Sequence, residues 1–176
     1  PFFLYMSHYA VHVPLQADNR FVDKYLQRGL LQSEANYASM VEGMDKSLGD
    51  LMDYLESKEV LENTVIIFMS DNGGYSLYGR MPPLHTQNSP LRSGKGSAYE
   101  GGIRVPMIVY WNGVASPGTT INDYVIIEDF FPSILEMAGV CDYHTKQCVD
   151  GVSFVPMLKG KKSDNGSRPL IWNIDR

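Results

Sequence analysis

The apolar residues of this chain repeat with two periods, and the alternation between them lays out its elements. Phe2-Phe3-Leu4-Tyr5-Met6 is a short apolar run of strand length. It leads into Ser7-His8-Tyr9-Ala10-Val11-His12-Val13-Pro14, where Pro14 opposes continuation of either a ladder or a helix. From about Glu34 to Glu56, the residues Tyr37, Met40, Val41, Met44, Leu48, Leu51, Met52 and Leu55 recur at spacings of three and four. That spacing predicts a long amphipathic helix with Ser33 placed as its N-cap. Val65-Ile66-Ile67-Phe68-Met69 is apolar throughout and rich in β-branched residues, the pattern of a strand buried on both faces of a parallel sheet. Val105 to Trp111 predicts a third strand, Asn112-Gly113 to Gly118 a turn, and Asp129 to Met137 a second helix closed by Gly139. Beyond Gly139 the periodicity weakens: Asp150 to Gly160 predicts a short turn of helix, Lys161 to Ser167 a surface loop, and Pro169 to Trp172 the start of another strand.

Strand, helix, strand, loop, strand, helix is the order of an α/β sheet. A chain of 176 residues with 44% hydrophobic and 20% charged content is long enough for one sizeable core. A formal net charge of −5, with Lys159-Gly160-Lys161-Lys162 as its one dense basic stretch, argues against nucleic acid or an anionic membrane as partner. No apolar run approaches the roughly 20 residues that span a bilayer. The chain opens with no initiator methionine, basic n-region or cleavage site, and is expected to be a piece of something longer. Cys141 and Cys148 could close a local disulfide worth about 2–3 kcal/mol in an oxidising compartment, or stay as two thiols. Their spacing, even with His144 beside them, matches no common zinc pattern.

The candidate chemistry gathers after the strands. In a parallel α/β sheet, ligands collect beyond the carboxyl ends of the strands. His8 and His12 follow the first strand, and Asp71 and Asn72 the second. Asp71 offers a charged oxygen and Asn72 a neutral one, a pair suited to a hard cation, although Asp-Asn-Gly-Gly is equally the composition of a plain tight turn. The loop from Asp71 to Gly102 is too long for a mere connection. Within it, Gly94-Lys95-Gly96 resembles a phosphate loop only in part: Pro90 stands where the first glycine would be, and Gly96 where a Ser or Thr would be. What survives is Lys95, with three donors for an oxyanion, in a segment that also holds Arg92. His8 and His12 are four apart, but Pro14 points to an extended turn rather than a helix face, so the spacing implies no metal pair. His85 and His144 read as surface residues.

Taken in series, several blocks match one family. They are Phe2-Phe3-Leu4-Tyr5 with His8 and His12-Val13-Pro14; Ile66 to Gly73; Pro90 to Gly96 with Tyr99-Glu100-Gly101-Gly102-Ile103-Arg104-Val105-Pro106; Asp129 with Pro132 to Leu135 and Ala138-Gly139; and Asp150 to Ser153. In this order they closely resemble the type I sulfatases, the arylsulfatase family of the alkaline-phosphatase-like fold, over nearly the whole chain. The resemblance implies a mostly parallel α/β sheet flanked by helices. Residues 1–140 would form the C-terminal part of the catalytic domain, and 141–176 a loop and the start of an incomplete C-terminal subdomain. It implies hydrolysis of sulfate esters of sulfated carbohydrates or aryl sulfates. Calcium, with magnesium as the lesser alternative, would be held partly by Asp71 and Asn72. His12 and Lys95 would contact the sulfate, one of them near the leaving oxygen, and His8 and Arg92 are weaker candidates for substrate binding.

One departure limits that carry-over. The family's nucleophile is a formylglycine made from a C/S-x-P/A-x-R segment, and no such segment occurs in this sequence. The paired aspartates that complete the family's calcium site are missing as well. The formylglycine is therefore expected upstream, and the chain alone is expected to be inactive. Family resemblance also implies export to a periplasmic, secreted or lysosomal setting. Two other readings stay open: a phosphate or phosphonate ester hydrolase on the same fold, and a non-catalytic module binding sulfated glycans through His12, Arg92 and Lys95. A sheet lacking neighbouring strands would expose edges, so self-association is expected.

Overall fold

The computed structural model describes residues 1–75, 88–140, 142–161 and 168–173. The chain divides into two compact units: Pro1–Leu61 with Ser70–Val105, and Glu62–Met69 with Pro106–Arg176.

The first unit is built on helices α1, Val22–Gln27, and α2, Gln32–Ser57. The long period-3.6 pattern becomes α2, which begins two residues before Glu34. Ser33 is not its cap. The N-cap is Leu31, whose N–H donates to the Glu34 carboxylate at 3.2 Å, the glutamate half of a capping box. The Ser33 hydroxyl is buried and has no hydrogen-bond partner among the described residues. Ala35, Ser39 and Leu55 are buried along α2. Ser39 ties the helix to the preceding chain, its Oγ accepting from the Asp18 N–H at 3.0 Å and donating to the Asn36 carbonyl at 2.7 Å. Helix α1 docks through Tyr25, which donates to Glu42 at 2.9 Å, and through the Lys24–Glu42 ion pair. The C-terminus of α2 closes with Glu59 at φ +57, where glycine is usual; the Val60 N–H reaches the Leu55 carbonyl and the Glu59 N–H that of Glu56.

Phe2–Met6 is not a strand. A strand needs a hydrogen-bonded neighbour, and among the described residues none pairs with this segment, which lies exposed with Tyr5 at 81%. The stretch Pro169–Trp172 likewise forms no strand.

The second unit holds strands β1, Val65–Met69, and β2, Met107–Trp111, where the apolar runs predict them. Their pairing is antiparallel, from Val65 opposite Trp111 to Met69 opposite Met107, rather than parallel. Side chains along β1 are half-buried rather than sealed on both faces. A continuous apolar run reports burial, and strand direction is set by connectivity that such a run does not encode. Helix α4, Phe130–Met137, follows a 3-10 turn at Ile127–Asp129 and is closed by Gly139 at φ +76. The short turn of helix after Gly151 is realised as α5, Val155–Leu158.

A buried polar knot fastens α4 to α5. Asp129, fully buried, accepts from the N–H groups of Val152 at 2.8 Å and Ile126 at 3.0 Å, and pairs with Arg168. Ser133 donates to the Asp129 carbonyl and accepts from the Phe154 N–H at 2.9 Å. Phe154 packs edge-on against Phe130 at 5.4 Å between ring centroids. Gly151 is required here, because a Cβ would lie 1.9 Å from the Glu128 carbonyl oxygen.

Cys148 is an exposed free thiol, while Cys141 and His85 lie outside the described residues, as does most of Lys161 to Ser167. His144 is exposed, 3.8 Å from the Asp142 carboxylate. Among the described residues, no helix is long and apolar enough to cross a membrane.

Candidate functional site

The chain leaves β1 at Ser70 and enters a pair of loop segments joined almost wholly by backbone. The Gly73 N–H donates to the Gly102 carbonyl at 2.9 Å, and the Lys95 N–H to the Gly74 carbonyl at 3.0 Å. Within the second segment, the Gly101 N–H donates to the Arg92 carbonyl at 2.9 Å and the Gly102 N–H to that of Tyr99 at 2.8 Å. Asn88 clasps both segments, its Nδ2 donating to Gly74 at 2.8 Å and to Ser93 at 3.1 Å. The glycines are there because backbone meets backbone. A Cβ on Gly73 would lie 1.8 Å from the Gly101 oxygen, and one on Gly101 would lie 2.1 Å from the Ser93 oxygen. A short helix, α3, Glu100–Ile103, carries two of these glycines buried at the junction. The Asp-Asn-Gly-Gly segment is therefore more than a tight turn: it is half of a two-segment frame, and Lys95 stands on the other half.

On this frame Asp71, Arg92 and Lys95 are exposed and Asn72 is half-buried. Asp71 is exposed, and no hydrogen bond or ion pair engages its carboxylate among the described residues. Asn72 donates its Nδ2 to the neighbouring Gly73 carbonyl at 3.0 Å, which leaves Oδ1 to act as an acceptor. The Ser70 hydroxyl donates to the Asn72 carbonyl at 2.8 Å and fixes the turn between them. Lys95 is exposed, and its ammonium enters no ion pair among the described residues. Arg92 lies over the ring of Tyr99, with Cζ 3.8 Å from the ring centroid.

One anionic and one neutral oxygen without internal partners fit a hard divalent cation in type. In number they fall short of the six to eight oxygens calcium takes, and no group of three His, Cys, Asp or Glu side chains among the described residues could complete the set.

His12 sits in a separate turn. Its Nδ1 donates to the Val13 carbonyl at 2.8 Å, which leaves Nε2 as the basic nitrogen. Tyr9 buttresses it, donating its hydroxyl to the same carbonyl at 3.0 Å, with the two rings 5.4 Å apart. His8 lines an open groove with Gln16, Asp18, Asn19 and Met40. The Arg20 guanidinium, hydrogen-bonded to Asp18, lowers that carboxyl to about 2. The structure thus brings Asp71, Asn72, Arg92 and Lys95 onto one frame. Among the described residues, no hydrogen bond or ion pair joins His8 or His12 to it. The sequence reading missed Asn88, an isolated amide whose role depends on carbonyls 14 and 5 residues away on either side of it, and gave Tyr99 no role of its own.

The chain belongs to the sulfatase family, whose model, described as Sulfatase, matches residues 1–140. It is 38% identical to a sulfatase of Formosa agariphila, over 99% of this chain and 33% of that protein. It is 31% identical to human N-acetylgalactosamine-6-sulfatase, over 98% of this chain and 31% of that protein. Among solved structures it superposes on Ps i-CgsB, crystallised in complex with k-i-k-neocarrahexaose, with a TM-score of 0.76 and 33% identity, covering 86% of this chain and 32% of that one. The fold class is accordingly the alkaline-phosphatase-like α/β fold of these sulfatases. The chain spans about a third of the length of the relatives it matches.

Proposed function

We propose that this chain supplies the cation-facing and sulfate-facing loops of a sulfatase that hydrolyses sulfate esters of carbohydrates. The observation that carries the reading is the glycine-knit frame, which holds Asp71 and Asn72 oxygens and a Lys95 ammonium without partners among the described residues on two segments hydrogen-bonded to each other. The carbohydrate class is supported by the name of the human relative and by the oligosaccharide bound to Ps i-CgsB.

Asp71 and Asn72 would hold a divalent cation, calcium in this reading. Once bound, the cation would withdraw charge from a sulfate oxygen. Lys95 donates to a second sulfate oxygen, where negative charge accumulates as the ester bond breaks. His12, with Nδ1 fixed on the Val13 carbonyl, keeps Nε2 available to hold a proton for the leaving oxygen. The nucleophile belongs to a segment this chain does not contain, so the isolated chain is expected to turn over no sulfate ester and to bind calcium only weakly.

The test is to express the chain together with whatever coding sequence flanks it and to assay release of sulfate from a sulfated monosaccharide. Activity that falls about 100- to 1,000-fold in Lys95→Ala, the usual loss of one oxyanion donor, supports the reading. Full activity in that variant, or hydrolysis of phosphate esters alone, overturns it.

A further inference from the structure

We propose that Tyr99 is a positioning residue for Arg92, and that the pair forms a pre-set fork for an anionic oxygen group of the sulfated substrate. The proposal rests on the sulfatase reading above. At 3.8 Å from the ring centroid, the guanidinium lies over the face of Tyr99, where the ring's negative face attracts it. Stacking occupies the flat face of a guanidinium and leaves its N–H groups, which point outward in the plane, ready for two-point binding of an oxyanion.

Among the described residues, nothing consumes those donors. Arg92 is exposed and makes no side-chain hydrogen bond or ion pair among the described residues. The carboxylate beside Tyr99 in sequence, Glu100, is committed to Arg104 at 3.1 Å. Both ends of the fork are anchored, because the Arg92 carbonyl accepts from Gly101 and the Tyr99 carbonyl from Gly102. A surface arginine ordinarily samples many rotamers, and holding it against a ring removes that entropic cost before the ligand arrives. The fork stands on the same knitted segment as Lys95, three residues before it in the chain.

The purified chain can be titrated with 4-nitrophenyl sulfate while the arginine Nε–H and backbone amide resonances are followed by NMR. The Arg92 Nε–H signal is expected to shift with the probe, together with the Lys95 amide. Tyr99→Leu should weaken binding roughly three- to fivefold, in keeping with an exposed cation–π contact, and Tyr99→Phe, which keeps the ring face, should restore it. The double variant Arg92→Ala with Tyr99→Leu should bind no more weakly than Arg92→Ala alone, since Tyr99 acts through Arg92. Tyr99 is half exposed and its frame bonds are backbone, so Tyr99→Leu is expected to keep the wild-type amide spectrum elsewhere. Unchanged affinity in Tyr99→Leu, or an additive double variant, overturns the inference while leaving the sulfatase reading in place. A wild-type chain in which the Arg92 signal does not respond to the probe also overturns the inference, whereas the sulfatase reading stands or falls on the Lys95→Ala assay above.

Discussion

Two aspartates of this chain follow opposite logics. Asp129 is fully buried, with its oxygens satisfied by two backbone N–H groups and by Arg168. Asp71 is exposed and has no protein partner among the described residues, although the loop that carries it is fastened on both sides. A carboxylate that stabilises a fold uses its lone pairs internally, because a buried charge left unpaired is costly. A carboxylate kept for a ligand is instead held by its backbone, with its oxygens free. The difference lies in where the hydrogen bonds go and is invisible in residue type.

The comparison breaks most sharply at Asp129. Asp129→Ala strands Arg168, whose Nε already lacks a partner among the described residues, and orphans two N–H groups. It should cost about 3–5 kcal/mol in urea unfolding, against about 0.5 kcal/mol or less for Asp71→Ala. Equal costs would show that the two carboxylates are not distinct in kind. Next, Gly73→Ala forces a methyl group into the Gly101 carbonyl and should cost about 1–3 kcal/mol, with faster amide exchange at Lys95. Asp71→Ala should then abolish the weak luminescence of terbium, used as a calcium mimic, while leaving the unfolding curve in place. The smallest effect concerns acid. Asp18 is lowered from 3.8 to about 2 by Arg20, so its contribution is complete above the unfolded value and lost as pH falls from about 4 to about 2. Asp18→Asn should flatten that part of an acid titration followed by circular dichroism, slightly, because the pair is solvent-screened.

Much of this molecule was legible wherever one segment contains its own explanation. The period of Tyr37 to Leu55 defined α2, and the β-branched run defined β1, because local spacing carries that information. Features that depend on a distant partner were not legible. Phe2–Met6 has strand composition and no ladder among the described residues, β1 has a buried-strand composition and an antiparallel neighbour, and the N-cap falls on Leu31 rather than Ser33. At the site, strand-end position and loop chemistry singled out Asp71, Asn72 and Lys95 and resemblance gave them roles, yet the clasp of Asn88 on Gly74 and the close approach of Gly73 to Gly101 join residues well apart in order. His12 was placed with them by its position after the first apolar run and by resemblance, and among the described residues its hydrogen bond and ring contact lie within its own turn.

The loop frame also separates shape from chemistry. Apart from Asn88, the bonds that join its two segments are made by main-chain atoms, which every residue but proline supplies alike. Substitutions at positions 71, 92, 95 and 99 therefore change what the frame presents without removing the bonds that hold it. Such a scaffold can be retargeted one side chain at a time, so an engineer seeking a different anion could vary those four positions as a small library while leaving every glycine untouched.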